Sequence, residues 1–383
     1  MSAHIIGYHT TQFGELWEKS LFDLVEETIT GVLKSTHIDI SEIDAIFFSN
    51  MLGGVLENNL HAGAKIADIF GLHIPIFRSE AACASGGVAF HLAHEYVKNQ
   101  KGKTVLVVGA EKMTDVQPEI ITQGLMSAAS GEEQECGLTF PGLYALMARV
   151  YMQQFGYDRK HLASVAVKNH AHGVLNPTAH FRRAITLDQA LRSSTIAEPL
   201  GLLDCSPVSD GASSVIITSD PSRLKKRKNI PILSSQIATD SISLLQRKSL
   251  VELKATQIAA QKAYADAHIK PSDISIAEVH DCFTIAELFA MEDLGFWKKG
   301  EAGARALQYE TLLTNKGPLI VNTSGGLKAS GHPVGATGIK QIGELFLQLT
   351  GKAEKRQVKN IKYGLAHNVG GSGGTAVVTI LGV

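Results

Sequence analysis

Apolar positions along the chain follow two spacings. Short, nearly continuous apolar runs bounded by Gly, Pro, Asn or Asp read as buried strands. Longer stretches with apolar residues three and four apart read as helices packed against them. A strand is expected near 4–8. After Ser20, residues Leu21, Leu24, Val25, Ile29, Val32 and Leu33 fall on one stripe, which predicts a helix, and Ser20 with Asp23 has the form of a capping box. A strand at 43–48, a helix from about 59 to 70 and a short strand at 75–78 follow. The last leads into EAACASGG, a helix through 88–97 and the strand TVLVVG at 104–109. From about 111 to 205 the periods are helical with no clear strand, as at 143–155 and 162–170, joined by Gly156 and Tyr157. The β pattern resumes with DGASSVIIT at 210–218.

The second half repeats this order. A strand at 232–238 precedes a helix at about 250–267, and a strand at 274–279 precedes HDCF and a helix at 284–294. A strand at 319–321 leads into SGGLKASGHPVGATG and a helix at 339–349, and strands near 363–367 and 375–381 finish the chain. Each half reads strand-helix-strand-helix-strand-helix-strand-strand. Such alternation predicts an α/β fold with helix-covered sheets. Residues 1–110 with 206–222 form the expected first half, 111–205 an inserted, mainly helical domain, and 223–383 the second half. Two similar halves are expected to pack together with a site between them.

Composition narrows the picture. The chain has 383 residues, 44% hydrophobic and 19% charged, enough for two or three domain-sized units and too apolar for disorder. With 36 basic and 37 acidic residues the net charge is −1, which argues against a broad nucleic-acid footprint. The basic run RLKKRK at 223–228 reads as a solvated turn; the sharper alternative is a contact for the phosphates of a nucleotide-bearing cofactor. The opening residues lack an apolar stretch behind a basic flank, and no run approaches the roughly 18 apolar residues that span a membrane. The final VVTILGV matches no peroxisomal or reticulum-retention address, so a cytoplasmic protein is expected.

Candidate chemistry centres on a few segments. Four cysteines, at 83, 136, 205 and 282, form no CxxC pair, so neither a zinc ribbon nor a disulfide framework is expected, and Cys136 and Cys205 read as packing residues. The 15 histidines include His91 with His94 and His170 with His172 but no HExxH, and no metal site is expected. Cys83 lies where a strand gives way to a helix, among small residues that let a substrate approach. The unpaired amides and dipole of a helix N-terminus there favour thiolate; the alternative is a small packing residue. His332, in GHPVGATG, is positioned to take a thiol proton or polarise a carbonyl, or is a structural histidine. HDCF places His280 and Cys282 together after a strand, as chemistry or by chance. HNVGGSGG at 367–374 offers backbone amides to an oxyanion, or is a tight hairpin.

Taken together and in this order, EAACASGG, HDCF, GHPVGATG and the last glycine turn resemble the thiolases. DCSPVSDGAS at 204–213 and KNHAHGVLNP at 168–177 strengthen the likeness, which covers nearly the whole chain. It is closest to the sterol-carrier-protein-type thiolases and the related bacterial and archaeal acetyl-CoA acetyltransferases. The resemblance implies a five-layer αβαβα sandwich of two similar halves, with the inserted loop domain over a coenzyme A channel. It implies Cys83 as the acylated nucleophile and His332 as its activator. His280 stands where many thiolases have asparagine, and Asn368 where many have a second cysteine. Cys282 supplies the missing acid–base thiol. The amides of Cys83 and Gly370 are the expected second oxyanion hole, and Ser206 aligns with a serine that touches the pantetheine arm. Acetyl-CoA, 3-oxoacyl-CoA and CoA are the expected ligands, with no cofactor, and the chain is expected to form a homodimer or dimer of dimers. A partner protein is left open. Two rivals remain: a decarboxylating 3-oxoacyl synthase, against which Cys282 argues, and a non-catalytic lipid-binding or assembly subunit, against which the complete reactive set argues. The chain's end at the last expected strand leaves no room for a fused lipid-transfer domain.

Overall fold

In the computed structural model, which describes residues 2–225 and 227–383, the strands are β1 His4–Thr10, β2 Ala45–Ser49, β3 Ile76–Ser79, β4 Thr104–Glu111, β5 Thr195–Ala197, β6 Leu200–Gly201, β7 Gly211–Thr218, β8 Ile230–Thr239, β9 Ile276–Glu278, β10 Ile320–Val321, β11 Tyr363–Gly370 and β12 Thr375–Gly382. Apart from the β5–β6 pair, they are hydrogen-bonded in the order β10-β9-β11-β12-β8-β1-β7-β4-β2-β3. The two halves join where His4 and Ile5 of β1 face Pro231 and Ile230 of β8. Numbered within its own half, each set of strands lies in the order 3-2-4-5-1. The senses also match: the second strand is parallel to the third and fourth, and the fifth is antiparallel to the fourth and first.

Helices cover these sheets in five layers. The helix Leu21–Thr36 packs on β1, β4 and β7, and Ala62–Phe70 lies against β3. Its Ser20 cap and the reciprocal Asp23 bond are present, as the sequence motif predicts. The helices Ser85–Lys98 and Val334–Thr350 lie between the sheets. Lys254–Ala267 covers β8 and β12 on the far side, with Thr284–Asp293 beside it. Strand β4 shows why its sequence is nearly all apolar. Val105 and Val107 point into the middle layer with Ala89, Phe90 and Ile342, while Leu106 and Val108 point outward to join Leu24, Val25 and Ile29. A strand covered on both faces loses the polar alternation of a half-exposed one.

The two central helices touch at glycines. A Cβ on Gly338 would lie 2.3 Å from the Gly87 nitrogen, and one on Gly86 would lie 2.9 Å from the Gly338 nitrogen. Only glycine permits this approach, which brings the N-terminal ends of both helices into one place.

Three expectations about elements need correction. Between β4 and β7 the chain is mainly helical, but it contains the β5–β6 hairpin, with Thr195 facing Gly201. Its first strand is largely exposed and lacks an apolar pattern. Strands β9 and β10 are shorter than expected because the Asn322 side chain takes over the pairing: Asn322 N–H donates to the Ala277 carbonyl, and the Val279 N–H donates to Asn322 Oδ1 at 2.8 Å. Cys136 is exposed and is no packing residue. In the basic run, Arg223 pairs with Glu42 at 2.9 Å and Lys228 donates to the Thr350 carbonyl; Lys226 lies outside the described residues. No helix among the described residues is long and apolar enough to cross a membrane.

Candidate active site

After β3 the chain makes a sharp turn in which Ala82 takes the left-handed conformation, with φ 50°. The Ser85 hydroxyl fastens the turn: it donates to the Ala82 carbonyl at 2.6 Å and accepts the Ala81 N–H at 2.9 Å. Cys83 is thereby held just ahead of the helix Ser85–Lys98, half-buried in the wall of a cavity of about 230 Å3. His332 occupies the loop before the other central helix, after Gly331 with φ 98°. His280 and Cys282 follow β9. Asp281 between them is buried and accepts the Leu327 and Lys328 amides, at 2.6 and 3.2 Å, which ties HDCF to the His332 loop.

The structure brings Cys83, His280 and His332 together, with one ligating atom of each lying within 4.8 Å of the others. The two imidazoles are edge-to-face, with centroids 5.2 Å apart. Cys282, Ser206 and His332 share the cavity wall with Cys83. Ser206 is half-buried, and its N–H donates to the Cys282 carbonyl at 2.9 Å.

Hydrogen bonds fix the imidazole tautomers. The Thr337 hydroxyl donates its proton to the Pro333 carbonyl at 3.0 Å, so at 2.7 Å it accepts from His332 Nδ1. His332 Nε2 is then a bare lone pair. Asn368 Oδ1 accepts the Gly87 N–H at 3.0 Å, which orients its amide. Asn368 Nδ2 then donates to the Cys83 carbonyl at 3.0 Å and to His280 Nδ1 at 3.2 Å. His280 therefore carries its proton on Nε2. Neither Nε2 has a hydrogen-bond partner among the described residues. The site thus presents one acceptor nitrogen and one donor nitrogen side by side.

A thiolase N-terminal domain model matches residues 3–221, and a thiolase C-terminal domain-like model matches 237–383. The chain belongs to the thiolase family. It is 43% identical over 379 residues to the acetyl-CoA acetyltransferase of Methanothermobacter thermautotrophicus, covering 98% of both chains. It is 44% identical over 388 residues to that of Methanocaldococcus jannaschii, again covering 98% of both. Human sterol carrier protein 2 is 30% identical, with 98% of this chain and 71% of that one covered. Among solved structures, an Ltp2–ChsH2(DUF35) aldolase matches with TM-score 0.85 and 22% identity over 100% of this chain and 98% of that one. Human mitochondrial 3-ketoacyl-CoA thiolase matches with TM-score 0.73 and 16% identity over 100% and 98%. These two share the fold. With relatives so similar over their full length, this thiolase is an enzyme of the acyltransferase class, and neither rival is favoured.

Burial sets the charge state of the thiolase site. It is the largest influence on Cys83, whose thiol is pushed up to about 12; Glu111 and Glu80 add to it, and the Gly371 and Cys83 amides oppose it. Desolvation here opposes the helix N-terminal amides, which by themselves favour thiolate. Burial, with Lys340 nearby, takes His332 down to about 3. Burial, with His332 and His367, holds His280 well below the ordinary imidazole range. Cys282 is raised well above the usual thiol range, again chiefly by burial. The resting site is neutral: two thiols and two imidazoles.

In the last glycine turn the Gly371 amide, at φ 59°, opposes the rise of the Cys83 thiol, and Gly370 packs against the Ala81 carbonyl so closely that a Cβ would lie 2.4 Å from it. Two contributors escaped the sequence reading: Thr337, bonded to His332, and Tyr144, which comes from the insert and lines the cavity beside both thiols. Asn368 is legible in the sequence only as standing in place of a cysteine, and its bond to His280 is not. A buried aromatic on a helix carries no mark that separates it from core.

Proposed function

We propose that the chain is an acetyl-CoA C-acetyltransferase that condenses two acetyl-CoA molecules into acetoacetyl-CoA, or cleaves a 3-oxoacyl-CoA with CoA, through an acyl-Cys83 intermediate. One observation carries this reading: two thiols and His332 line one cavity, with His280, of complementary tautomer, beside Cys83 and His332. The family match and the full-length acetyltransferase relatives support it.

The chemistry follows from the protons. Cys83 S–H passes its proton to His332 Nε2 as the sulfur attacks the thioester carbonyl. The amides of Cys83 and Gly370 face the developing oxyanion. The carbon–sulfur bond to CoA breaks, and the departing thiolate takes the Cys282 proton. Cys282 is left as thiolate and His332 as imidazolium. A second acetyl-CoA then gives a methyl proton to Cys282. Its enolate oxygen accepts from His280 Nε2–H and His332 Nε2–H, donors that contribute roughly 3–4 kcal/mol each in comparable sites. The enolate carbon attacks the acyl-Cys83 carbonyl. The bond to Cys83 breaks, and its sulfur recovers the proton from His332. Every proton is accounted for with groups on the page, and a second thiol has no task in a decarboxylating reaction.

The finer assignments belong to the same proposal. Ser206 contacts the pantetheine arm from the cavity wall, the protein acts in the cytoplasm without a cofactor, and it forms a homodimer or dimer of dimers. An uncovered sheet edge supports self-association: β3 ends the strand order and carries Phe77, 47% exposed. Sedimentation at micromolar concentration tests the assembly, and a monomer contradicts it. The activity test mixes protein with acetoacetyl-CoA and CoA and follows loss of the enolate absorbance. Wild type is expected to consume it, and Cys83→Ser to be slower by at least about 10^4-fold. Equal rates would remove Cys83 from the chemistry.

A further inference from the structure

Tyr144 lies on the helix Phe140–Phe155 of the insert and is fully buried. Its ring packs on Phe283, next to Cys282, with centroids 4.6 Å apart. Its hydroxyl donates to the Gly371 carbonyl at 3.1 Å, and the Cys83 and Cys282 thiols line the same cavity beside it. Tyr144 therefore stands beside both thiols, with its hydroxyl held by the glycine turn that flanks Cys83.

A tyrosine has one proton to give and can also accept. While Cys282 is a thiol, the Tyr144 proton points to the Gly371 carbonyl. Once Cys282 has lost its proton it can only accept, and as an anion it is a stronger acceptor than a carbonyl. We propose that Tyr144 is a positioning residue for the carbon-deprotonation half of the reaction, its hydroxyl turning from the Gly371 carbonyl to the Cys282 sulfur and stabilising the thiolate. The phenolic proton stays on Tyr144 throughout, and no bond to it breaks. The glycine turn does not depend on Tyr144 alone, because Arg247 donates to the Ser372 carbonyl at 2.7 Å and to its hydroxyl at 3.2 Å. This inference rests on the thiolase reading of the site.

Tyr144→Phe keeps the ring and its stacking on Phe283. In the purified full-length chain with acetyl-CoA, two steps are read separately: acetylation of Cys83, by mass after rapid quenching, and exchange of methyl hydrogens with deuterated water. Exchange is expected to fall about 10- to 100-fold, the worth of one hydrogen bond to a charged group, and acetylation, in which Cys282 gives its proton to an already stable departing thiolate, to fall by a smaller factor. The pH profile of exchange is expected to shift about one to two units to the alkaline side. Exchange at the wild-type rate, or a parallel loss of both steps, would overturn the proposal. Replacing Tyr144 by 3-fluorotyrosine keeps size and hydroxyl but makes a stronger donor. It is expected to shift the profile to the acidic side, and an unmoved profile would count against the inference even if the phenylalanine variant failed to fold. A wild type that never acetylates Cys83 would defeat the site reading itself, which this design separates from the role of Tyr144.

Discussion

The two halves share one strand order and divide the chemistry between corresponding places. In the first, the third strand β3 runs through the Cys83 turn into the central helix Ser85–Lys98. In the second, the third strand β10 leads through the His332 loop into the central helix Val334–Thr350. Nucleophile and base thus occupy equivalent positions, and the glycine contact between the helices brings them together. The halves differ most between their fourth and fifth strands. In the second half that connection is the turn 371–374; in the first it is the whole of 112–210, which forms the inserted region and delivers Tyr144 to the cavity. A repeated scaffold fixes the reacting groups, and one enlarged connection covers them.

That comparison can be broken at several points. His280 follows the second strand of its half, where the other half has Asn50, a residue bound to Glu111 and remote from substrate chemistry in this account. His280→Ala is expected to slow turnover about 10^2- to 10^3-fold while Cys83 still acetylates, as for loss of one oxyanion donor. Separate measurement of acetylation and turnover checks it. Asn50→Ala should act on stability and leave the enolate step alone. At the helix crossing, Gly338→Ala drives a methyl group to within 2.3 Å of the Gly87 nitrogen and Asn368 Oδ1. It is expected to cost about 3 kcal/mol of stability, read by denaturant unfolding.

The charge state of the Cys83–His332 pair gives a smaller and graded effect. With the thiol pushed up to about 12 and the imidazole down to about 3, the pair stays neutral between those limits. Only the thiolate reacts with iodoacetamide, and its fraction rises with pH until the thiol pKa is reached. Labelling of Cys83, resolved by peptide mass, is therefore expected to rise about tenfold per pH unit from pH 6 to 9. A plateau across that range would show a thiolate–imidazolium pair instead.

Much of the scaffold was legible in the sequence because doubly covered strands and one-sided helices leave distinct spacings. Strand β4 and the helix Leu21–Thr36 are clear examples. Strands β9 and β10 were overestimated because an apolar run does not show that the Asn322 side chain will replace a strand bond. The reactive side chains were legible as motifs, since each sits at a strand-to-helix junction rich in glycine. Their charge states were not, because desolvation of Cys83 depends on everything packed around it. Nor could composition show which glycines of the last turn take the left-handed conformation, φ 59° at Gly371 and 117° at Gly373, within a run where every glycine looks alike.

The central claim is that two thiols split the reaction, Cys83 carrying the acyl group and Cys282 moving the carbon proton. The most direct measurement incubates Cys282→Ala with acetyl-CoA and follows both the mass of the Cys83 peptide and the appearance of acetoacetyl-CoA. The account expects Cys83 to gain one acetyl group while acetoacetyl-CoA fails to form. Acetoacetyl-CoA at the wild-type rate would contradict it and return the proton transfer to another group.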